Sequence, residues 1–392
     1  MLSNRLLTGT LTLVIIISIT ALIIAFGRGY RLNLQTNTLA PTGLLVASSF
    51  PTGAQVYVDN HLVSATNNTI VLPPGTYQVQ ISKDGYTPWQ KTLKIQGEIV
   101  TKADALLLPV APDLRPLTTT GALNPTLSLD GTKIAYGVAT ASAQKQGLWV
   151  MDLTDRPLSL QSPARQIALD TDLIKYSQSK LIWAPNGHQL IAKVENIYYL
   201  LNTDGLNDTP QDITLTNDLQ FSNWILEYTE RQDALVKTLK TVLQKYIRED
   251  MKILSWSPDE TKILYIATNS ATLKPVIIPP LIGTNSQPED REIKTGKIYI
   301  YDIKEDRNYE IPASLFSLPA SIYWLMSSRH IVYIEDSKII VIEYDGQNKT
   351  IVYSGPFDRK LLLPHPDGSR LIILTNFNSS SLPLNLYTLS LR

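Results

Sequence analysis

Hydrophobic and polar residues alternate in short runs along most of this chain, and one strand–turn–strand pattern returns several times. The clearest copy has the apolar run Leu181-Ile182-Trp183, the turn Ala184-Pro185-Asn186-Gly187, and a second apolar run that ends at Ala192. Period-two alternation predicts β-strands, and the Asn-Gly pair predicts a two-residue hairpin in which both turn residues have positive φ. Recurrence of such a unit predicts a repeat architecture. The other copies are centred on Trp256, Asp367-Gly368, Asp130-Gly131 and Trp324, of which the last keeps the tryptophan without the turn signal.

A third apolar strand follows each copy, and a polar fourth strand follows some of them. Four antiparallel strands per unit is the pattern of a propeller blade. The chain is therefore predicted to be mainly β, with residues 111–392 forming a β-propeller of about five or six blades. Ring closure would be helped if residues 114–117 supplied the outer strand of the last blade beside residues 384–389, because this pairing would join both ends of the region and cover an exposed edge.

The N-terminal part of the chain is uniformly apolar instead of alternating. The run from Leu6 to Phe26 carries no charge, and about 21 residues at roughly 1.5 Å each match a hydrocarbon core of roughly 30 Å. We predict a tail at residues 1–5, a transmembrane anchor at residues 6–27, and an irregular polar linker at residues 28–42. A cleaved signal peptide is the alternative, but the run is longer than a normal h-region and no small-residue cleavage site follows it.

Residues 43–110 form a separate alternating region with turn signals between its runs, which predicts an antiparallel sandwich of five or six strands. This region resembles the PEGA domain, a small surface β-sandwich for which the resemblance implies no catalysis. It departs from that family at Thr52, where the family name implies glutamate. The residues that carry the resemblance are Pro51, Gly53, Ala54, Val56, Val58, Asp59, Pro74, Gly75, Thr76, Tyr77, Asp84, Gly85 and Tyr86.

The repeats resemble those of TolB-type and WD-like propellers. The resemblance rests on Trp183-Ala184-Pro185-Asn186-Gly187 and Trp256-Ser257-Pro258-Asp259-Glu260, and it extends from about residue 120 to the end. Propellers of this kind scaffold partners, filter substrates or carry enzyme sites, so the resemblance implies a fold and leaves the function open. Both resemblances imply a bacterial or archaeal source.

A helical pattern interrupts the repeats at residues 225–250. Its apolar residues fall at helical spacing on one face, and Thr229 with Gln232 fits a capping box. We predict one helix of about five turns, which either packs on the side of a blade or docks a partner. The apolar residues of this face are Leu235, Leu239, Val242, Leu243, Tyr246 and Ile247.

A second insertion, at residues 268–295, has an apolar centre that is punctuated by prolines. Long loops of this kind are uncommon without a function. Either the loop packs over one mouth of the ring, or it presents an apolar patch to a partner or a membrane. The candidate partner-binding residues are Val276, Ile277, Ile278, Pro279, Pro280, Leu281 and Ile282.

Composition excludes several kinds of chemistry. The chain has no cysteine and a formal net charge of zero, so thiol chemistry is impossible and there is no electrostatic case for nucleic acid. Its four histidines are isolated, and we expect His188 and His365 to be exposed turn residues. No catalytic, cofactor-binding or metal-ligating motif occurs, and the acidic pairs at 170/172, 249/250 and 289/290 are explained by turns and helix ends.

These patterns favour a non-catalytic, membrane-tethered binding or scaffolding protein of the cell envelope, anchored by Leu6 to Phe26 and carrying its bulk outside the cytoplasm. The expected partners are envelope proteins or glycans. Two alternatives remain open: a hydrolase or lyase for envelope polysaccharide or peptide with its site in the propeller funnel, and a regulator that acts through the loop at residues 275–283. The sequence does not determine the oligomeric state.

Overall fold

The computed structural model describes residues 2–27, 29–33, 38–140, 142–154, 164–312, 322–379 and 381–392. The chain begins with helix α1, Leu2–Gly27. Within α1, Thr8–Gly27 is long and apolar enough to cross a membrane, and none of it is buried. This length and composition fit the predicted anchor, and they are also those of a signal sequence.

The segment after α1 is more ordered than the predicted irregular linker at residues 28–42. It contains an antiparallel pair of strands, β1 Tyr30–Asn33 and β2 Thr38–Pro41. The pair is closed beyond its ends by the amide of Thr42, which donates to the carbonyl oxygen of Gly29 at 3.0 Å. Each of these strands has only four residues, which is too short to show a period in its side chains. The sequence pattern therefore did not predict the pair.

The chain divides into two compact units, of which the first comprises Met1–Leu108 and Leu281–Pro288. Its sandwich has seven strands in two sheets, with orders β6-β3-β9 and β5-β4-β7-β8. The predicted antiparallel arrangement is incomplete, because β3 and β9 pair in parallel. A core of alternating side chains that includes Leu45, Val56, Ile81 and Trp89 lies between the sheets. The strands are β3 Gly43–Phe50, β4 Gln55–Val58, β5 His61–Ala65, β6 Asn68–Leu72, β7 Gly75–Ser82, β8 Trp89–Ile95 and β9 Val100–Leu106.

The outer edge of β8 is covered by Leu281–Pro288, which comes from the second predicted insertion. The Gln287 amide nitrogen Nε2 donates to the carbonyl oxygen of Thr92 at 2.8 Å. The backbone N–H of Lys94 donates to Ser286 Oγ at 3.3 Å. These contacts satisfy backbone groups that an edge strand otherwise leaves open to strand pairing.

The second unit comprises Pro109–Pro280 and Glu289–Arg392. Its described residues form five four-stranded sheets, here numbered sheets 1 to 5 in chain order. Such sheets, each antiparallel and most of them built from consecutive strands, are the expected blade pattern. Sheet 1 contains β11 Leu123–Leu127, β12 Lys133–Val138, β13 Gly147–Asp152 and β14 Ala164–Leu169. Sheet 2 contains β15 Lys180–Trp183, β16 Gln189–Val194, β17 Ile197–Asn202 and β18 Gln211–Asp212.

Sheets 3 to 5 follow a helical insertion, α2 Asn217–Lys237 and α3 Thr241–Glu249. Sheet 3 contains β19 Met251–Trp256, β20 Lys262–Ala267, β23 Ile298–Asp302 and β24 Arg307–Glu310. Between β20 and β23, β21 Ala271–Thr272 pairs with β22 Glu292–Ile293. Sheet 4 contains β25 Tyr323–Trp324, β26 His330–Glu335, β27 Lys338–Glu343 and β28 Thr350–Tyr353. Sheet 5 contains β29 Leu362–Pro364, β30 Arg370–Thr375, β31 Asn385–Ser390 and, from the start of the unit, β10 Leu114–Pro116.

The pairing of β10 with β31 confirms the expected outer strand, since Leu114 lies opposite Leu389 and Pro116 opposite Tyr387. The two ends of the second unit are thus joined within one sheet. Neighbouring sheets share apolar cores: one cluster joins sheets 1 and 2, a second joins sheets 3 and 4, and a third joins sheets 1 and 5.

The turn between the first two strands of each sheet differs from the predicted two-residue hairpin. Gly187 donates its amide hydrogen to the carbonyl oxygen of Ala184 at 3.1 Å, and only Gly187 of the Asn-Gly pair has positive φ. The same four-residue turn occurs in all five sheets, with a left-handed residue in last position. In sheet 4 that residue is Ser328, so the same turn forms although the sequence there has no Asn-Gly or Asp-Gly pair. The five left-handed residues are Gly131, Gly187, Glu260, Ser328 and Gly368.

Two helices, instead of the predicted single one, form the first insertion. Thr229 and Gln232 lie inside α2, so the predicted capping box is wrong; the Thr229 hydroxyl donates to the carbonyl of Ile225 at 2.9 Å. Near its N-terminal end, α2 packs Trp224 and Phe221 on sheet 2. Its C-terminal end and α3 pack Val236, Leu243 and Ile247 on sheet 3. The helical pair thus covers sheet faces on both sides of it, which supports the packing interpretation.

Candidate functional site

A cleft of about 280 Å³ lies in the second unit, where the helical pair meets sheet 3. Its walls are mainly aliphatic and aromatic, with a few polar groups at the rim. This composition is typical of small binding sites. The lining residues are Leu235, Thr238, Leu239, Lys240, Leu243, Trp256, Glu260, Val276, Ile277, Tyr301 and Ile303.

The helical wall is shaped by the break between α2 and α3. The hydroxyl of Thr238 donates to the carbonyl oxygen of Leu235 at 2.7 Å and ends α2. Gln244 Nε2 donates to the carbonyl oxygen of Leu239 at 2.8 Å, which satisfies another backbone group at the break. These two bonds satisfy carbonyl groups that have no helical partner at the break. The side chains of Leu235 and Leu239, on either side of the break, line the cleft.

The loop wall is held by one buried carboxylate. Asp306 Oδ2 accepts hydrogen bonds from the backbone N–H of Val276 at 2.6 Å and of Ile277 at 2.8 Å. On the outer side, Lys240 Nζ donates to the carbonyl oxygen of Val276 at 3.1 Å. The loop segment that lines the cleft is therefore held through its N–H groups by Asp306 and through a carbonyl group by Lys240.

Asp306 is itself bound by Tyr301 and Arg291. The Tyr301 hydroxyl donates to Asp306 Oδ1 at 2.5 Å, and Arg291 Nη1 lies 3.3 Å from the same oxygen. Burial alone would raise the pKa of Asp306, but the hydrogen bonds and the charge of Arg291 lower it overall. Burial, together with the bonded carboxylate, raises the pKa of Tyr301. Asp306 is thus an anion with its lone pairs in use, which suits positioning and not proton transfer.

The rim on the sheet side is formed by Trp256 and Glu260. Trp256 Nε1 donates to Gln232 Oε1 of α2 at 2.8 Å, which ties the helix to the first strand of sheet 3. Glu260 is the left-handed residue of the repeat turn, with φ of 58°, and its side chain is exposed.

The predicted partner-binding residues occupy different environments. Val276 and Ile277 are half-buried and line the cleft. Ile278, Pro279 and Pro280 are exposed in the second unit. Leu281 and Ile282 are also exposed and belong to the first unit. The loop therefore packs at its base and presents apolar residues beyond it, and partner binding by these residues stays a prediction.

The aspartates of the repeat turns accept hydrogen bonds from residues of their own turns. Asp259 Oδ1 accepts from the hydroxyls of Ser257 at 2.7 Å and Thr261 at 2.9 Å. Although burial alone would raise it, these bonds and the charge of Lys262 lower the pKa of Asp259 to about 2. Asp130 makes the equivalent bonds to Ser128 and Thr132. Such carboxylates stabilise turns.

Two of the remaining acidic candidates, Asp170 and Glu289, are explained by local structure. Asp170 accepts from the amide of Ser177 at 2.9 Å, and Glu289 is bonded by Arg291 and Arg307. His188 is exposed as expected, but His365 is buried, with Nδ1 3.0 Å from Asp367 Oδ1, so that expectation is wrong for His365. Over the described ranges, no three histidine, aspartate or glutamate side chains form a cluster that could hold a metal ion.

Residues 42–110 match the family model of the PEGA domain, in agreement with the sandwich and with the residues that predicted it. No curated protein matches the chain in sequence.

Similar solved structures are TolB-like and other β-propeller proteins. TolB from Acinetobacter baumannii is 13% identical, with coverage of 80% of this chain and 59% of that one and a TM-score of 0.24. The β-propeller domain of the Trilobed protease from Pyrococcus furiosus is 13% identical, with 89% and 95% coverage and a TM-score of 0.23. Oligogalacturonate lyase from Vibrio parahaemolyticus is 9% identical, with 90% and 99% coverage and a TM-score of 0.26. At these scores the likeness carries no conclusion about activity.

The lining residues Leu235, Leu239 and Leu243 belong to the predicted apolar helix face, and Val276 and Ile277 belong to the candidate loop residues. The residues that fix the walls, Gln232 and Asp306, were not predicted in that role. Gln232 was assigned to a helix cap, and no sequence pattern singled out Asp306. The left-handed φ of 53° at Asp306 has no distinctive sequence signal, because aspartate is common in turns of many kinds.

Proposed function

We propose that this chain is a membrane-anchored binding or scaffolding protein of the cell envelope, which presents a PEGA-like sandwich and a β-propeller outside the cytoplasm. The observation that carries the proposal is the uniformly apolar, wholly unburied helix Thr8–Gly27, which is followed in the chain by folded β-units. A helix that buries no residue in its own protein has its apolar surface available for lipid.

We further propose that the five described sheets and the helical pair together form the propeller ring. The repeat tryptophans support this view. Trp183 Nε1 of sheet 2 donates to the backbone carbonyl of Thr126 in sheet 1 at 3.2 Å. The equivalent Trp256 of sheet 3 donates to the side chain of Gln232 in α2 at 2.8 Å. The helix thus supplies to Trp256 an acceptor like the one that sheet 1 supplies to Trp183, so the helical pair takes the place of a blade between sheets 2 and 3.

A binding role that leaves the partner chemically unchanged is favoured because the turn aspartates Asp130 and Asp259 and the buried Asp306 are committed to structural hydrogen bonds. No specific observation on the described residues favours the hydrolase or lyase alternative.

The absence of cysteine allows a direct test of topology. Leu173 is 94% exposed in the second unit, so a Leu173→Cys variant offers one accessible thiol. A membrane-impermeant maleimide should label this variant in intact cells as strongly as in lysed cells, whereas a Ser3→Cys variant should react only after lysis. Labelling of position 173 only after lysis would contradict the envelope assignment.

A further inference from the structure

The cleft is an incompletely filled space over one face of sheet 3. Tyr301 from the third strand of this sheet and Ile303, directly after that strand, contribute to its walls. Residues of the helical pair and of the loop, and not a neighbouring sheet, form the opposite walls. The volume of about 280 Å³ is below the roughly 300–1,000 Å³ of pockets for drug-sized ligands. It has room for one large apolar side chain, which is the usual anchor of a protein interface.

The apolar surface continues beyond the cleft. Ile277 lines the cavity, and the next residue, Ile278, is 81% exposed. Pro279 and Pro280 follow and are also exposed. A ligand that filled only the cavity would leave this surface uncovered, whereas residues on either side of an anchoring side chain would cover it. This continuity favours a polypeptide over an isolated small molecule.

The charges at the rim favour a basic neighbour for the anchoring side chain. Within the described residues no cation pairs with Glu260, whose exposed carboxylate stands at the rim. Lys240, the other charged lining residue, directs its ammonium group to the carbonyl oxygen of Val276. The Glu260 carboxylate is therefore the charged lining group that is available to bind a cation of a partner. Complementary charges improve both the specificity for a partner and the rate of association.

We propose that this cleft binds a partner polypeptide through one large apolar side chain that is flanked by basic residues. The inference deepens the proposed binding function and names the kind of partner. It is independent of membrane topology, so a failure of peptide binding and a failure of the topology test give different results.

The test uses the full chain in detergent and three fluorescein-labelled peptides, each acetylated and amidated: Lys-Phe-Lys, Lys-Ala-Lys and Glu-Phe-Glu. Fluorescence anisotropy should show that Lys-Phe-Lys binds at least tenfold more tightly than Lys-Ala-Lys, because burial of a phenylalanine side chain changes the dissociation constant by a factor of about 10 or more. Glu260→Gln should weaken Lys-Phe-Lys by about two- to fivefold at low salt and much less at high salt, as expected for an exposed ion pair. Equal binding of the three peptides, or no binding of any, would overturn the proposal.

A blocking experiment keeps the proposal testable if substitutions in the cleft perturb folding. Thr238→Cys places the only thiol of the chain at the cleft, and the folded protein is then conjugated with a bulky pyrene maleimide. This conjugate should lose Lys-Phe-Lys binding, whereas the matched Leu215→Cys conjugate, at a fully exposed residue outside the cleft, should retain it. Retained binding in the Thr238 conjugate would place the peptide elsewhere and refute the assignment.

Discussion

Asn385 and Thr118, which are 267 residues apart in the chain, meet where the two ends of the second unit join. Asn385 Oδ1 accepts from the Thr118 hydroxyl at 3.0 Å and from the backbone N–H of Gly121 at 2.9 Å. The Thr118 hydroxyl in turn accepts from the N–H of Leu386 at 2.9 Å. This small network extends the pairing of β10 with β31 and so strengthens the junction between the two ends of the second unit.

Asn385→Ala should therefore weaken the junction between the two ends of the second unit. Two part-buried donors lose their acceptor, and each such loss costs about 1 kcal/mol or more. We expect a decrease of about 1–3 kcal/mol in the free energy of unfolding of the second unit, measured by urea denaturation of the full chain in detergent. Hydrogen exchange at the amide of Gly121 should accelerate.

Asn223→Ala is the matched control for this substitution. Asn223 is exposed on α2, and its side chain has no hydrogen bond among the described residues. The control should leave the exchange of Gly121 unchanged, and because alanine is the better helix former it should at most raise the free energy of unfolding by about 0.7 kcal/mol. An Asn385→Ala variant with the same stability as this control would show that the junction does not limit unfolding.

The pairing between the two ends of the second unit could be predicted from sequence, whereas the packing of helices on sheets 2 and 3 could not. Alternation along residues 384–389 identifies a strand with one buried face, and the exposed edge then requires a partner strand. The position of α2 depends instead on which sheet faces remain uncovered, a property of packing between distant segments. The Gln232–Trp256 bond and the cleft arise from that packing, so neither has a local pattern that reveals it.

Gln232→Leu should destabilise the contact between α2 and sheet 3. Its side-chain oxygen accepts from Trp256 Nε1 at 2.8 Å, and leucine would leave this donor without a partner in a part-buried position. We expect a loss of about 1–2 kcal/mol in the free energy of unfolding. Gln232→Glu retains an acceptor and should lose much less. Equal losses in both variants would mean that packing of the side chain, and not the hydrogen bond, supplies the stability.

Asp306→Asn should loosen the loop wall of the cleft. Asparagine tolerates the left-handed backbone of this position, so the substitution removes charge with little backbone strain. The substitution leaves Arg291 facing a neutral group, and removal of one partner of a buried ion pair costs about 3–5 kcal/mol of stability. Because Arg291 also pairs with Glu289, we expect a loss in the free energy of unfolding at the lower end of this range.

Amide exchange distinguishes this local effect from general destabilisation. The amides of Val276 and Ile277, which donate to Asp306, should lose protection in Asp306→Asn more than amides in sheet 5 do. A uniform change across the unit would contradict a positioning role for Asp306.

Asp259→Asn tests the stabilisation of the repeat turns through its pH dependence. The pKa of Asp259 in the folded protein is about 2, below its unfolded value of about 3.9. A lowered folded pKa means that the ionised carboxylate stabilises the folded state at pH above the unfolded value. That stabilisation is lost as the pH falls through about 2. The natural chain should therefore be more stable than Asp259→Asn at pH 7, and this difference should shrink steadily from about pH 4 to pH 2.

Urea denaturation across this range measures the difference in stability between the natural chain and Asp259→Asn. Asp233→Asn, at an exposed position of α2, is the control and should show no comparable change. A difference that stays constant down to pH 2 would mean that the shape of the side chain, and not its charge, stabilises the turn.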